Sequence, residues 1–168
     1  MKVLLTGAAG HIGQAVLKPL QEAYDLRTLD RRPVRGDADA IRAELEDFPA
    51  IRKAVAGQEA VLHLAANPSG HAKFDALIGP NLIGMYNLLQ AACEAQVRRV
   101  VFASTCQTIL SYPWEHKVEI GDPVRPVSIY GSTKVFGEVL GRYYHDHHGL
   151  EFVGIRIGGF AGYNARHL

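Results

Sequence analysis

Apolar and polar positions in this chain form two alternating kinds of segment. Short, largely apolar runs occur at Val3-Leu4-Leu5, Glu59 to Ala66 (EAVLHLAA), Val100-Val101-Phe102 and Phe152 to Ile157, and Leu26 to Asp30 reads as a further short strand. Between them, apolar residues recur three and four apart, the spacing of one helix face. Ile12, Ala15, Val16 and Leu20 predict a helix from His11 to Glu22, and Phe48 to Ala56 predicts another, ended by Gly57. Leu82, Met85, Leu88, Leu89 and Ala92 are in phase over Asn81 to Ala95, and Tyr130 to His147 completes the set. Residues 31–39 are polar and carry Pro33 and Gly36, so they read as loop. Residues 106–129 hold Pro113, Pro123 and Pro126 and form a long loop. Structureless loops beyond roughly 12–15 residues are uncommon and usually functional.

Continuous apolar strands alternating with amphipathic helices predict an α/β fold. The sheet is parallel and doubly wound, with helices on both faces and ligands bound off the carboxyl ends of the strands. The 168 residues suit a single domain over 1–168.

Composition narrows the class. Residues are 48% hydrophobic and 21% charged, as in an ordinary globular protein. The net charge of +1 is spread along the chain, without the basic stripe of a nucleic-acid binder. No apolar run approaches the roughly 18 residues of a membrane span, and no signal peptide is read at the start. Cys93 and Cys106 stand far apart without metal spacing, so a reducing cytoplasmic compartment is expected. His145, His147 and His148 (HDHH) lie near a predicted helix end; they read as solvated cations at the helix C-terminus rather than as metal ligands, and no metal is expected.

The stretch TGAAGHIG, Thr6 to Gly13, follows the first strand and opens the first helix. That is the setting a phosphate-cradling turn requires. Gly7 permits a tight turn, Gly10 lets backbone N–H groups approach a pyrophosphate, and Gly13 allows close packing of the helix, whose N-terminus favours an anion. A strand-to-helix corner that merely contains glycine is the plainer alternative. His11 either contacts the pyrophosphate or faces solvent. Asp30 ends the second strand, where a carboxylate accepts hydrogen bonds from the adenosine ribose and repels a 2′-phosphate. Arg31 and Arg32 follow; arginine is how such sites accept NADP, and a solvated basic turn is the other reading. NAD is the expected cofactor, ahead of NADP.

Tyr130 and Lys134 stand four apart on a predicted helix and share a face. A nearby ammonium lowers a phenol's pKa, and a tyrosine so poised can act as general base on a hydroxyl. An exposed helix pair is the alternative reading. Thr105 lies just past the strand ending at Phe102, where a hydroxyl can orient a substrate oxygen or bond its own turn. No base partner for Cys106 is evident, which argues against a nucleophilic thiol.

In this order the pieces resemble the extended short-chain dehydrogenases/reductases, the NAD-dependent epimerase/dehydratase family. TGAAGHIG is similar to the family's glycine loop, with Ile12 among its cofactor contacts. Glu44-Leu45 sits where the family has an adenine-contacting pair. HLAA (63–66) resembles its cofactor-side strand end, bringing Leu64, Ala65 and Ala66 to the cofactor, and Asn81 opens a helix as in its N-x-x-G pattern. VFAST (101–105) resembles its hydroxyl-bearing strand, and YGSTK (130–134) its Y-x-x-x-K, 25 residues after Thr105. The resemblance implies a Rossmann-type sheet and a mechanism. Tyr130 takes a hydroxyl proton, Thr105 orients the substrate, and Lys134 lowers the tyrosine pKa and holds the nicotinamide ribose. Substrates would be sugars, sugar acids or nucleotide sugars, and a homodimer would form through the helices beginning at Asn81 and Tyr130. Within the family, NLIGMYNLLQAA, RRVVFAST, RPVSIYGSTKVFGE and IRIGGF look most like uronate dehydrogenases. That group has Ser-Asn-His where this chain has Thr105-Cys106-Gln107, and serine where it has Gly159; these positions touch the substrate there. Arg166 matches an arginine that could hold a substrate carboxylate, or it is a solvated residue. Family members commonly continue for about another hundred residues, so the chain is expected to hold the cofactor half and the catalytic residues and to lack most of the substrate-binding part. A dinucleotide-binding module without turnover, a redox sensor or inactive fragment, is the alternative function.

Overall fold

A computed structural model describes residues 1–160; Arg166 lies outside them. The elements are β1 (Lys2–Thr6), α1 (His11–Ala23), β2 (Asp25–Asp30), β3 (Ile41–Arg42), α2 (Phe48–Val55), β4 (Ala60–His63), α3 (Asp75–Leu77), α4 (Gly84–Glu94), β5 (Arg99–Thr105), α5 (Ile129–His148) and β6 (Glu151–Ile157). A π-helical turn, Ile78–Ile83, joins α3 to α4, and a 3-10 turn, Cys106–Thr108, follows β5. The strands form one sheet in the order β3-β2-β1-β4-β5-β6, every pair parallel. This is the doubly wound arrangement expected from the apolar pattern. None of the described helices is long and apolar enough to cross a membrane.

The two sides of the sheet are built by neighbouring residues of one strand. Leu4 joins a large core with Ile51, Ala54, Met85, Leu88, Val100 and Tyr144, under α2, α4 and α5. Leu5, the next residue, joins a smaller core with Leu17 and Val34, under α1. Side chains that alternate across a strand explain why the strands read as largely apolar runs. Each fully buried Leu or Ile in these cores contributes about 1.5–3 kcal/mol of transfer free energy.

The chain steps outward from β1 through β2 to β3, then returns to β4 on the other side of β1. The switch point falls between the carboxyl ends of β1 and β4, where a crevice forms and such sheets bind ligands. The two-residue β3 and the short α3 are not expected from the sequence, being too short to carry a period. Asn81 does not open its helix as the resemblance implied. It sits inside the π-helical turn of a helical run that begins earlier, at Asp75.

Candidate active site

The glycine loop leaves β1 at the switch point. Gly7 has φ +74°, a conformation L side chains avoid, and a Cβ there would lie 2.6 Å from the Ala65 amide nitrogen. The glycine therefore lets the end of β1 close against the end of β4. A Cβ on Gly13 would run into the Gly7 carbonyl oxygen and lie 2.8 Å from Ala8 Cα. What Gly13 makes room for is thus the backbone of the loop itself. No side chain of the N-cap, Gly10, caps the start of α1, and a helix start favours an anion. His11 and Ile12 open that helix, His11 exposed and Ile12 half-buried. A tight glycine loop running into a helix start without a side-chain cap fits a dinucleotide's pyrophosphate.

Asp30 ends β2 beside this loop and is buried. Its carboxylate accepts from the Ala9 N–H at 3.0 Å and from the Arg32 N–H at 2.9 Å. Arg32 folds back, donating to the Ala9 carbonyl at 3.0 Å with its Nε 3.7 Å from the Asp30 carboxylate. Asp30 thus shapes the loop as well as presenting a negative charge. Arg31 is exposed, and its carbonyl accepts from Arg42. Glu44 is exposed, but the Leu45 side chain packs in the core against Gly84, so only its backbone is left to face an adenine. Leu64, Ala65 and Ala66 follow β4 and are half-buried beside the loop.

Thr105 is the last residue of β5, and its hydroxyl accepts from the Gln107 N–H. Ser128 caps α5, accepting from the Gly131 N–H at 2.9 Å, and starts the helix so that Tyr130 falls in its first turn opposite Thr105. Both residues are nine-tenths buried. Burial raises the Tyr130 pKa, Cys106 nearby raises it further, and the hydrogen bond with Thr105 works the other way. Lys134 is 4% exposed; its Nζ lies 4.6 Å from the Phe102 ring centre and 5.7 Å from that of Tyr130. Burial pushes the Lys134 ammonium down to about 7. The expected lowering of the tyrosine pKa by the lysine therefore does not dominate this site. Loss of hydration acts on both groups, opposing the phenolate and the ammonium alike.

Several expected contacts are turned inward. Asn81 is buried, accepting from the Asn67 N–H at 2.8 Å and donating to the Asn67 carbonyl and the Thr133 hydroxyl. Its side chain is spent on joining the segment after β4 to α5 rather than on a cofactor. Gln107 turns its carbonyl oxygen to the Ser128 hydroxyl at 2.5 Å, so it supports the cap of α5. Cys106 is half-buried and close to Tyr130. In the HDHH string His145 meets the Leu150 carbonyl, while His147 and His148 pack on Tyr143.

Three groups around the site are not singled out by the sequence. His63 is buried, joined to the Thr6 hydroxyl at 2.7 Å, and pushed down to about 3 by burial and by Lys134. Phe102 stacks on His63 and faces Lys134. Ser104, Glu138 and Arg156 link β5, α5 and β6: the Ser104 hydroxyl donates to Glu138 at 2.5 Å, and Arg156 grips both oxygens of that carboxylate at 3.0 and 2.7 Å. Glu138 lies four residues beyond Lys134, a spacing that could have drawn attention to it.

A glycine loop, an acidic strand end and a threonine–tyrosine–lysine group thus lie at the carboxyl ends of the strands of a doubly wound parallel sheet, the Rossmann-type arrangement. The profile of the NAD dependent epimerase/dehydratase family matches residues 3–168, and the chain belongs to that family. It is 36% identical to the NAD-dependent glucose-6-phosphate dehydrogenase of Haloferax volcanii, over 93% of this chain and 67% of that protein. It is also 36% identical to the uronate dehydrogenase of Pseudomonas putida, over 94% of this chain and 60% of the relative. Among solved structures, uronate dehydrogenase from Agrobacterium tumefaciens superposes with a TM-score of 0.85 at 35% identity, covering 90% of this chain and 58% of that one. The chain thus spans about three-fifths to two-thirds of the length of these relatives.

Proposed function

We propose that this chain carries the cofactor and catalytic half of an NAD-dependent oxidoreductase or epimerase acting on a sugar, sugar acid or nucleotide sugar. The observation that carries the reading is the placement of Thr105, Tyr130 and Lys134 on the same edge of the sheet as the glycine cradle. When bound, the nicotinamide supplies hydride acceptance. Thr105 holds the substrate hydroxyl in line with Tyr130, and the ionised Tyr130 oxygen takes the hydroxyl proton as the carbon–hydrogen bond is broken. Lys134 donates to a ribose hydroxyl and, while charged, favours the phenolate. The buried carboxylate of Asp30 faces the adenosine side and disfavours a 2′-phosphate, which supports NAD over NADP. Cys106, close to Tyr130, is taken as a substrate-side contact.

Exposed Ile83 at the end of the π-helical turn, Tyr86 on α4, and Val139 and Tyr143 on α5 give this side of the fold apolar surface, which supports a homodimer through it. Two half-buried free thiols accord with a reducing cytoplasm. Calorimetry with NADH and NADPH, followed by a turnover screen with NAD and hexuronates, aldoses and nucleotide sugars, tests the reading. Tight NADH binding is expected, with either NADH production or an epimerised product on one sugar class. Absence of binding to either nucleotide overturns it. NADH binding without turnover on any sugar would instead favour a binding module, a reading that draws on the raised Tyr130 pKa.

A further inference from the structure

Lys134 is a buried cation with an unusual set of neighbours. Its pKa is lowered by burial. An isolated ammonium in such a place is costly unless something favours its charge. The Phe102 ring faces it, with its centre 4.6 Å from Nζ, inside the range of a cation–π contact. The ring is held there from several sides. Gly137, one turn beyond Lys134, leaves the space it needs: a Cβ at 137 would come within 2.7 Å of the ring's Cζ. His63 stacks on it with ring centres 5.9 Å apart, and Phe152 lies at the same distance. Among the described residues, the titratable groups placed near Lys134 are Tyr130 on its own helix, with its ring centre 5.7 Å away, His63 on β4, which is held neutral, and Glu138 one turn further along α5, whose carboxylate is taken up by Ser104 and Arg156.

We propose that Phe102 is a positioning residue for Lys134: the face of its ring takes the place of a counter-charge and holds the ammonium beside Tyr130. The inference rests on the reading that Lys134 serves the reaction proposed above. It adds that β5 contributes to the site twice, through Thr105 at its end and through Phe102 beneath the lysine.

The test replaces Phe102 in the intact chain with phenylalanines bearing one, two and three ring fluorines, which drain the ring face while keeping its shape. Lys134 protonation is followed by nitrogen-15 lysine NMR, the signal being assigned by its loss in Lys134→Met. The titration midpoint is expected to fall stepwise, by about one unit at three fluorines. Phe102→Leu is expected to lower it as far as trifluorination does. A midpoint that stays constant across the fluorinated series overturns the proposal. Should Phe102→Leu fail to fold, the fluorinated series still decides. The readout needs neither cofactor nor substrate, so a failed sugar screen counts against the proposed function and leaves this result standing.

Discussion

Replacing Lys134 by Met should make the protein more stable while disabling the site. The lysine stem is already buried against Phe102, and Met has a similar length without the charge. Lysine titrates at 10.5 in the unfolded chain and at about 7 in this fold. The depressed folded value means that the unfolded state binds more protons between these two pH values. The penalty on the folded state is absent above about pH 10.5, grows as pH falls, and is complete below about pH 7. Worked from those two values, it is about 4 kcal/mol at pH 7 and about 2 kcal/mol at pH 9. Urea unfolding of both proteins at several pH values measures it. The Met variant is expected to unfold at higher denaturant, with an advantage that shrinks by about half from pH 7 to pH 9. A variant less stable than the parent, or an advantage independent of pH, would refute the account of Lys134 as a cation held against its desolvation.

Gly13→Ala would push a methyl group into the Gly7 carbonyl and Ala8; a loss of about 1–3 kcal/mol by chemical denaturation and a large loss of NADH affinity by calorimetry are expected. Asp30→Ala removes the acceptor of the Ala9 and Arg32 amides as well as the charge, so NADH binding should weaken without a matching gain for NADPH; a clean switch to NADPH would contradict a loop-shaping role. Thr133→Val deprives the buried Asn81 amide of an acceptor and should cost about 1–3 kcal/mol in thermal or denaturant unfolding.

Much of the fold could be read from the sequence because its strands are buried on both sides. Leu4-Leu5 and Val61-Leu62 are apolar at consecutive positions since neighbouring residues serve different cores. β3 escaped because two residues carry no period, and the π-helical turn because Pro80 and Asn81 interrupt the pattern without leaving the helical run. At the site, spacing located Thr105, Tyr130 and Lys134, and the glycine loop was legible from its place between strand and helix. Direction was not legible. The letters at Asn81 and Gln107 suggest groups for ligands, whereas packing turns both into hydrogen bonds with Asn67, Thr133 and Ser128. The balance of pKa effects was equally hidden, since burial of Tyr130 and Lys134 depends on how closely α5 lies on β5, and that rests on Gly137 meeting Phe102.

The central claim is that Tyr130 exchanges a proton with a sugar hydroxyl at an NAD site built by the glycine loop. Its most direct test is NADH production by the parent chain and by Tyr130→Phe on the sugar that the screen identifies, with NADH affinity measured alongside. The account predicts that the phenylalanine variant binds NADH as the parent does and loses roughly 10²–10⁴-fold in kcat. Turnover unchanged in Tyr130→Phe would contradict it.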